Sequence, residues 1–440
     1  MHLKLLFVLT IIPGIFGIGY SQSSNWENLD TFIDILDEKE KFMGQLLVCE
    51  NGKKVYVRTF GYSVLETGMK SDENTPYRIG SISKTITATL VLKAVEEGRL
   101  ELSRTVEGFF PSIKGADKIT VAHLLNHHSG IHNFTGDPDF MQWHTKKKSE
   151  EEMLAIIAQG GSDFEPGSKA EYSNSNYVLL SYILQSIYGE QYAAILKKKI
   201  VQPLGLENTF FGDRLFSKEH RTYSYTYEVG WNRVGETDLS IPMGAGGILM
   251  SAYDLSGFIR GLFKNQLISR ESLGLMLEQK DGYGMGVFKT SVLGKQAYTH
   301  NGKIDGFNSV FYYFPEEQLT YVMLSNGENY NLSIINELVL GQSMGRPIDI
   351  PALTTYKVSY EDLYPYLGVY KSQTSPLVIT VSRKGNLLLA QPKGQQVYTM
   401  EPIEKDMFKH DRSGVTLEFT PEKSIMLMKQ GEQHLMFLKQ

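Results

Sequence analysis

The change of hydrophobic period along the chain constrains the fold more tightly than any other feature. Short apolar, strand-like runs stand near the start, apolar residues recur at helical spacing through the middle, and strand character returns before residue 325. The runs 45–50 and 55–60 flank Asn51-Gly52, two residues that tolerate positive φ, and so predict a β-hairpin. A helix is expected just before it, over 31–42. From Ile82 the positions Ile86, Leu90, Val91 and Val95 recur at helical spacing, with Gly98 as the stop. Further helices are expected at 150–159, 175–188 and 252–263, and strands at 296–300, 309–314 and 319–325. Strands at both ends of a unit with helices between them predict an α+β fold. Its antiparallel sheet is assembled from the two ends, flanked by helices and accompanied by an all-helical subregion.

Past Pro347 and Pro351 the texture changes. Short strands are expected at 377–382, 386–390, 396–400, 415–420, 424–429 and 434–439, punctuated by turns such as Lys384-Gly385 and Ser413-Gly414. That spacing predicts a small up-and-down β-barrel or sandwich. A chain of 440 residues exceeds one ordinary core, so the expected division has four parts. These are a leader over 1–21, a first domain over 22–345, a linker over 346–360 and a barrel over 361–440.

The leader is inferred from Lys4, the apolar stretch 5–18 and small residues at Gly19 and Ser21, the layout of a secretory signal peptide. Pro13, Gly14 and Gly17 interrupt the stretch, and it falls short of the roughly 20 apolar residues a bilayer span needs. Export to the periplasm or the medium is expected, without stable membrane insertion after cleavage. The sole cysteine, Cys49, has no disulfide partner within the chain and reads as a buried strand residue. The net charge of −5 is dispersed, and the one dense basic run, Lys146-Lys147-Lys148, is followed at once by Glu150-Glu151-Glu152, so no nucleic-acid partner is expected. His127, His128 and His132 find no carboxylate or cysteine in sequence to complete a metal set, and neither metal nor cofactor is expected. Oligomeric state is not fixed by these features.

Three short segments carry chemistry. Ser81 falls where a loop enters the helix beginning near Ile82, and Lys84 lies three residues on, so the two share a face. A serine hydroxyl needs a base before it attacks. An amine at a helix N-terminus is disfavoured as a cation by the dipole and by desolvation, so Lys84 is a candidate for that base. Tyr172-Ser173-Asn174 follows the turn Glu165-Pro166-Gly167-Ser168. Tyr172 can relay a proton if neighbouring cations lower its pKa, and Asn174 offers a two-sided amide for a substrate carbonyl. His300-Asn301-Gly302 ends a strand, where Gly302 would let a ligand lie against the edge and the Lys303 N–H could donate to an oxyanion. Each segment alone is a weak signal; their order and their contexts at a helix entrance, a loop and a strand end make the set informative.

Together with these three segments, the runs 123–131, 164–167, 203–206 and 244–248 resemble the serine β-lactamase and penicillin-binding protein superfamily. The branch is that of class C β-lactamases, D-Ala-D-Ala carboxypeptidases, D-aminopeptidases and related esterases, and the resemblance spans about residues 42–341. It implies an acyl-enzyme on Ser81, proton transfer shared by Lys84 and Tyr172, substrate orientation by Asn174, and an oxyanion hole from the N–H groups of Ser81 and Lys303. Many β-lactamases carry a lysine where this chain has His300. A largely neutral imidazole attracts a carboxylate less than an ammonium does, which suits a peptidase or esterase acting on D-residue peptides or cell-wall fragments. Efficient β-lactam hydrolysis and a non-turnover penicillin-binding sensor or scaffold are the alternatives. The end of the chain, through the run 363–370, resembles the lipocalin-like barrels appended to some peptidases of this branch. Substrate pockets are expected from the loops 133–148 and 222–240.

Overall fold

The computed structural model describes residues 26–212, 221–351, 353 and 356–440, so the expected leader lies outside the described residues. The sheet is built from both ends of the first unit, as the period changes require. Its main path runs, in antiparallel order, Phe288–Val292, Lys295–Ile304, Phe307–Phe314, Leu319–Glu328, Phe42–Glu50 and Lys53–Phe60. A short hairpin, Tyr225–Tyr227 with Trp231–Arg233, attaches by parallel pairing of Gly327 with Tyr225. The first turn is the expected one, with Asn51 and Gly52 at φ 51° and 78°. The preceding helix is Glu27–Glu38 rather than 31–42, because Phe42 already belongs to the central strand.

That central strand is apolar on both faces for a physical reason. Alternate side chains point to opposite sides of a sheet. Leu47 and Cys49 join the large core beneath the helices, while Leu46 and Val48 join a second core under Glu27–Glu38 and Leu332–Ser343. Cys49 is buried and unpaired. The helix Ser83–Glu96 runs through the larger core and is enclosed on nearly all sides, including Ser83, Lys84, Thr85, Thr87 and Thr89. Buried hydroxyls need partners, and each threonine has one: Thr85 Oγ1 donates to Gly286 O at 2.6 Å, Thr87 Oγ1 to Gly244 O at 2.8 Å and Thr89 Oγ1 to Thr85 O at 2.8 Å.

Beyond a 3-10 turn at Glu361–Tyr366, eight antiparallel strands from Gly368–Ser372 to Gln433–Lys439 close into a barrel. Two of them, Gly368–Ser372 and Met407–His410, were not among the six strands expected from sequence; the second is only four residues long and carries no sustained alternation. The barrel docks on the first unit through charge. Lys41, with 2% side-chain exposure, pairs with Glu401 and lies 2.9 Å from Asp411, and Arg412 reaches Glu328 at 2.7 Å. Among the described residues no helix is long and apolar enough to cross a membrane.

Candidate active site

Ser81 sits in a tight turn, Gly80–Ile82, that feeds the buried helix Ser83–Glu96. Gly80 has φ 50°, and a Cβ there would lie 2.8 Å from Lys303 N. Gly302 is the reciprocal contact, since its Cβ would lie 2.0 Å from Ile79 O. Glycine at 302 therefore lets the Ser81 turn press against the strand Lys295–Ile304, and Ser309 Oγ fastens the contact by donating to Ile79 O at 2.8 Å. The sequence reading assigned Gly302 to ligand approach; in the structure it is buried beneath this turn. Pairing with Phe288–Val292 stops at Thr299, which leaves the strand from His300 onward facing the cleft on that edge.

Lys84 is fully buried, and its Nζ has three oxygen neighbours: Ser81 Oγ at 3.1 Å, Asn174 Oδ1 at 2.8 Å and Ala245 O at 2.7 Å. Burial holds its pKa well below the usual lysine range. A neutral amine has two N–H donors and one lone pair. The carbonyl oxygens of Asn174 and Ala245 can only accept, so they take the two donors and the lone pair is left for the Ser81 hydroxyl. Gly244 beside Ala245 is obligatory for close packing, because a Cβ there would meet Thr87 Oγ1 at 2.4 Å and Ser181 Oγ at 2.5 Å.

Tyr172 lies against the same amine, with Nζ 4.9 Å from its ring centroid, and the Ser81 side chain is within hydrogen-bonding reach of its phenol. Burial raises the phenol pKa, with the Ser81 contact acting the other way. The condition set for Tyr172, neighbouring cations that lower its pKa, is not met: the same burial that raises the phenol holds the Lys84 amine below the usual lysine range. His127 stacks on Tyr172 at 4.5 Å between centroids, and burial holds its imidazole neutral. Its carbonyl accepts from Glu171 N at 2.9 Å and its Nδ1 from Ser173 N at 3.2 Å. His128 O accepts from Gly167 N and Gly130 O from Asp163 N, both at 2.8 Å. The runs 127–130 and 163–173 are therefore zipped together, and Tyr172 is placed by that zipper. Both runs were visible in sequence as pattern; their pairing was not.

Asn174 Nδ2 donates to Thr135 Oγ1 at 2.9 Å and to Asn133 Oδ1 at 3.2 Å. Its amide is committed on both sides in the resting site, so a substrate carbonyl would have to displace one of these partners. Ala245 lies in the run 244–248 and Asn133 and Thr135 in the loop 133–148, but the sequence singled none of them out as neighbours of Lys84 and Asn174, because contacts across the fold leave no local pattern.

Ser81, Asn174 and Lys303 line one cavity of about 420 Å³. Its lining takes Phe134, Phe140 and Met141 from the loop 133–148 and Thr237 from the loop 222–240, with Ile241 and Pro242 just beyond the latter's expected end. Asp305 lies on its floor, accepting from Thr237 Oγ1 at 2.6 Å and facing Arg78 at 3.4 Å. His300 does not line this cavity. It is 2% exposed, its Nδ1 is 2.6 Å from Asn301 O, and burial lowers its pKa to about 3. It is neutral at any ordinary pH.

The three histidines near the site are each engaged elsewhere. His128 bridges Asn126 and Asp281, and His132 lies between Asp137 at 2.9 Å and Asp163 at 3.0 Å. These carboxylates raise its pKa, so the group is an ion-pair cluster. Among the described residues no group of His, Cys, Asp or Glu has metal-holding geometry.

Comparison with known proteins places this geometry in context. Residues 32–336 match the family model described as Beta-lactamase. The chain is 27% identical to penicillin-binding protein 4* of Bacillus subtilis (strain 168), over 92% of this chain and 97% of that one. The octameric penicillin-binding protein homologue from Pyrococcus abyssi superposes with a TM-score of 0.66 at 24% identity, covering 94% of this chain and 100% of that chain. A D-stereospecific amidohydrolase from Streptomyces sp. gives a TM-score of 0.58 at 26% identity, covering 68% of this chain and 94% of the other.

Proposed function

The chain belongs to the Beta-lactamase family, and from that premise we propose that it is an exported serine hydrolase cleaving amide or ester bonds through an acyl-enzyme on Ser81. The observation that carries the reading is the buried Lys84 amine 3.1 Å from Ser81 Oγ, with both its N–H donors claimed by carbonyl oxygens. Lys84 takes the Ser81 proton as Oγ attacks the substrate carbonyl carbon. The oxyanion is held by the N–H groups of Ser81 and Lys303. Tyr172, whose phenol keeps its proton at neutral pH, passes it to the departing nitrogen or oxygen as that bond breaks, and the Lys84 ammonium restores it. Water then attacks the acyl-serine by the same route in reverse.

The substrates are small molecules or peptides, with D-residue peptides and cell-wall fragments as the class. The likeness to a D-stereospecific amidohydrolase supports this, as does the apolar wall of Phe134, Phe140, Met141 and Ile241, which suits an acyl group with a sizeable apolar side chain. The neutral His300 argues against efficient recognition of a β-lactam carboxylate. The complete Ser81–Lys84–Tyr172 set argues against a scaffold without turnover. Export rests on the residue pattern of positions 1–21.

Intact-mass spectrometry with a fluorophosphonate, alongside a panel of D-aminoacyl amides, D-Ala-D-Ala peptides, nitrophenyl esters and nitrocefin, tests the reading. Wild type is expected to gain one adduct and turn over a D-aminoacyl substrate, and Ser81→Ala to do neither. No adduct on wild type, or equal hydrolysis by Ser81→Ala, would refute it.

A further inference from the structure

The barrel contains a second cavity that the proposed hydrolysis does not use. Its two ends are filled differently. At one end Tyr366, Tyr370, Phe408 and Phe419 pack ring against ring, with centroids 4.9–5.8 Å apart, and close the interior. At the other, the inward positions carry smaller or unbranched side chains, and a cup of about 280 Å³ remains. An eight-stranded barrel is just wide enough for side chains to fill or for one small ligand to enter, so aliphatic residues in place of rings leave the space.

The cup's chemistry is specific. Its floor is apolar, with Ile379, Ala390, Met400 and Leu417 all buried. Its polar groups are all uncharged amides, hydroxyls and one imidazole: Gln395, Tyr398, Ser413, Gln430 and His410. His410 is 7% exposed with Nδ1 2.8 Å from Ser413 Oγ. The Tyr398 hydroxyl has a contact of 3.4 Å to Gln395 Oε1, long for an O–H···O bond and easily exchanged for a better acceptor. Among the described residues no carboxylate, ammonium or guanidinium lines the cup, and an unpaired charge placed there would lose its hydration without a partner.

We propose that this cup is a binding site for one small uncharged amphiphile, its apolar body on Ile379, Ala390, Met400 and Leu417 and one hydrogen-bonding group at Tyr398 and His410. The site adjoins the docking surface between the two units. Met400 and His410 face inward, while their chain neighbours Glu401 and Asp411 hold Lys41 of the first unit.

The test titrates the full chain with N-phenyl-1-naphthylamine, which is uncharged, and with its sulfonated counterpart 1-anilinonaphthalene-8-sulfonate. Expected is saturable one-to-one binding of the neutral dye, unaffected by prior fluorophosphonate labelling of Ser81, and at least about tenfold weaker binding of the sulfonate. Ala390→Leu fills the floor and Met428→Trp the half-buried wall, and each is expected to weaken neutral-dye binding by about tenfold or more while ester hydrolysis persists. A comparison needing no variant uses competitors on wild type: 1-nonanol displaces the dye and nonanoate does not. Absence of saturable binding, loss of binding on Ser81 labelling, survival of binding in folded fill variants, or equal competition by nonanoate would each overturn the proposal. Ser81 labelling and turnover are read separately, so failure here leaves the hydrolase reading standing and the reverse also holds.

Discussion

Replacing Gly302 with alanine probes the closest backbone approach in the site. The added methyl would sit 2.0 Å from Ile79 O and 2.4 Å from Ser309 Oγ. Ordinary non-bonded contact needs about 3.5 Å, so the nucleophile turn and the strand must part by more than about 1 Å, and the Ser309–Ile79 hydrogen bond must lengthen. Such parting moves Ser81 relative to Lys303, whose N–H lies beside Gly80. A misplacement of about 1 Å costs on the order of 10²-fold in rate, or about 2.7 kcal/mol of transition-state stabilisation. Overpacking adds a stability loss of about 1–3 kcal/mol. The expected result is a fall of about 10²-fold in kcat/KM for a nitrophenyl ester and in the fluorophosphonate labelling rate, with a lower urea midpoint. The control is Gly274→Ala, in the helix Arg270–Leu277 with no atom near the new methyl, where the change should be neutral or slightly stabilising. If Gly302→Ala keeps kcat/KM within about twofold and an unchanged midpoint, the close-approach reasoning is wrong.

Lys84→Met should lower the acylation rate by about 10²–10⁴-fold, as loss of a general base does, while preserving the fold because a buried amine is replaced by an apolar chain of similar length. Lys84 loses its proton in the folded protein at a lower pH than in the unfolded chain, so between those two values the unfolded chain binds more protons and stability rises with pH. Urea titrations across that window should show the rise in wild type and a flatter profile in Lys84→Met; identical profiles would count against a neutral Lys84. Lys41→Met strands Glu401 and leaves Asp411 only Lys409 at 3.6 Å, and should destabilise by about 1–3 kcal/mol; a change below about 0.5 kcal/mol in chemical denaturation would refute this. His300→Lys places an amine where burial already neutralises Lys84 and His300, so kcat/KM for nitrocefin should stay within about twofold, and a roughly tenfold rise would show that position 300 carries a charge into the cleft.

Much of this protein is fixed by local signals. The apolar runs 45–50 and 55–60 about Asn51-Gly52, and the helical spacing from Ile82, report where a hairpin and a helix form, because turn residues and apolar spacing act locally. Ser81 and Lys84 are three residues apart on one helix entrance, so backbone geometry alone brings hydroxyl and amine together at 3.1 Å. The short strand Met407–His410 escaped because four residues carry too little period to read. Tertiary structure decided everything that depends on surroundings rather than spacing. The Tyr172 phenol is pushed up and the Lys84 amine down by the same burial, and no local pattern states how much water a side chain will lose. Asn133 and Thr135 reach Asn174 across about forty residues, and Gly302 proves to support a turn over two hundred residues away. Contacts between distant segments arise only when the chain has closed its sheet from both ends, and it is there that an ordinary lysine loses its water and its pKa falls.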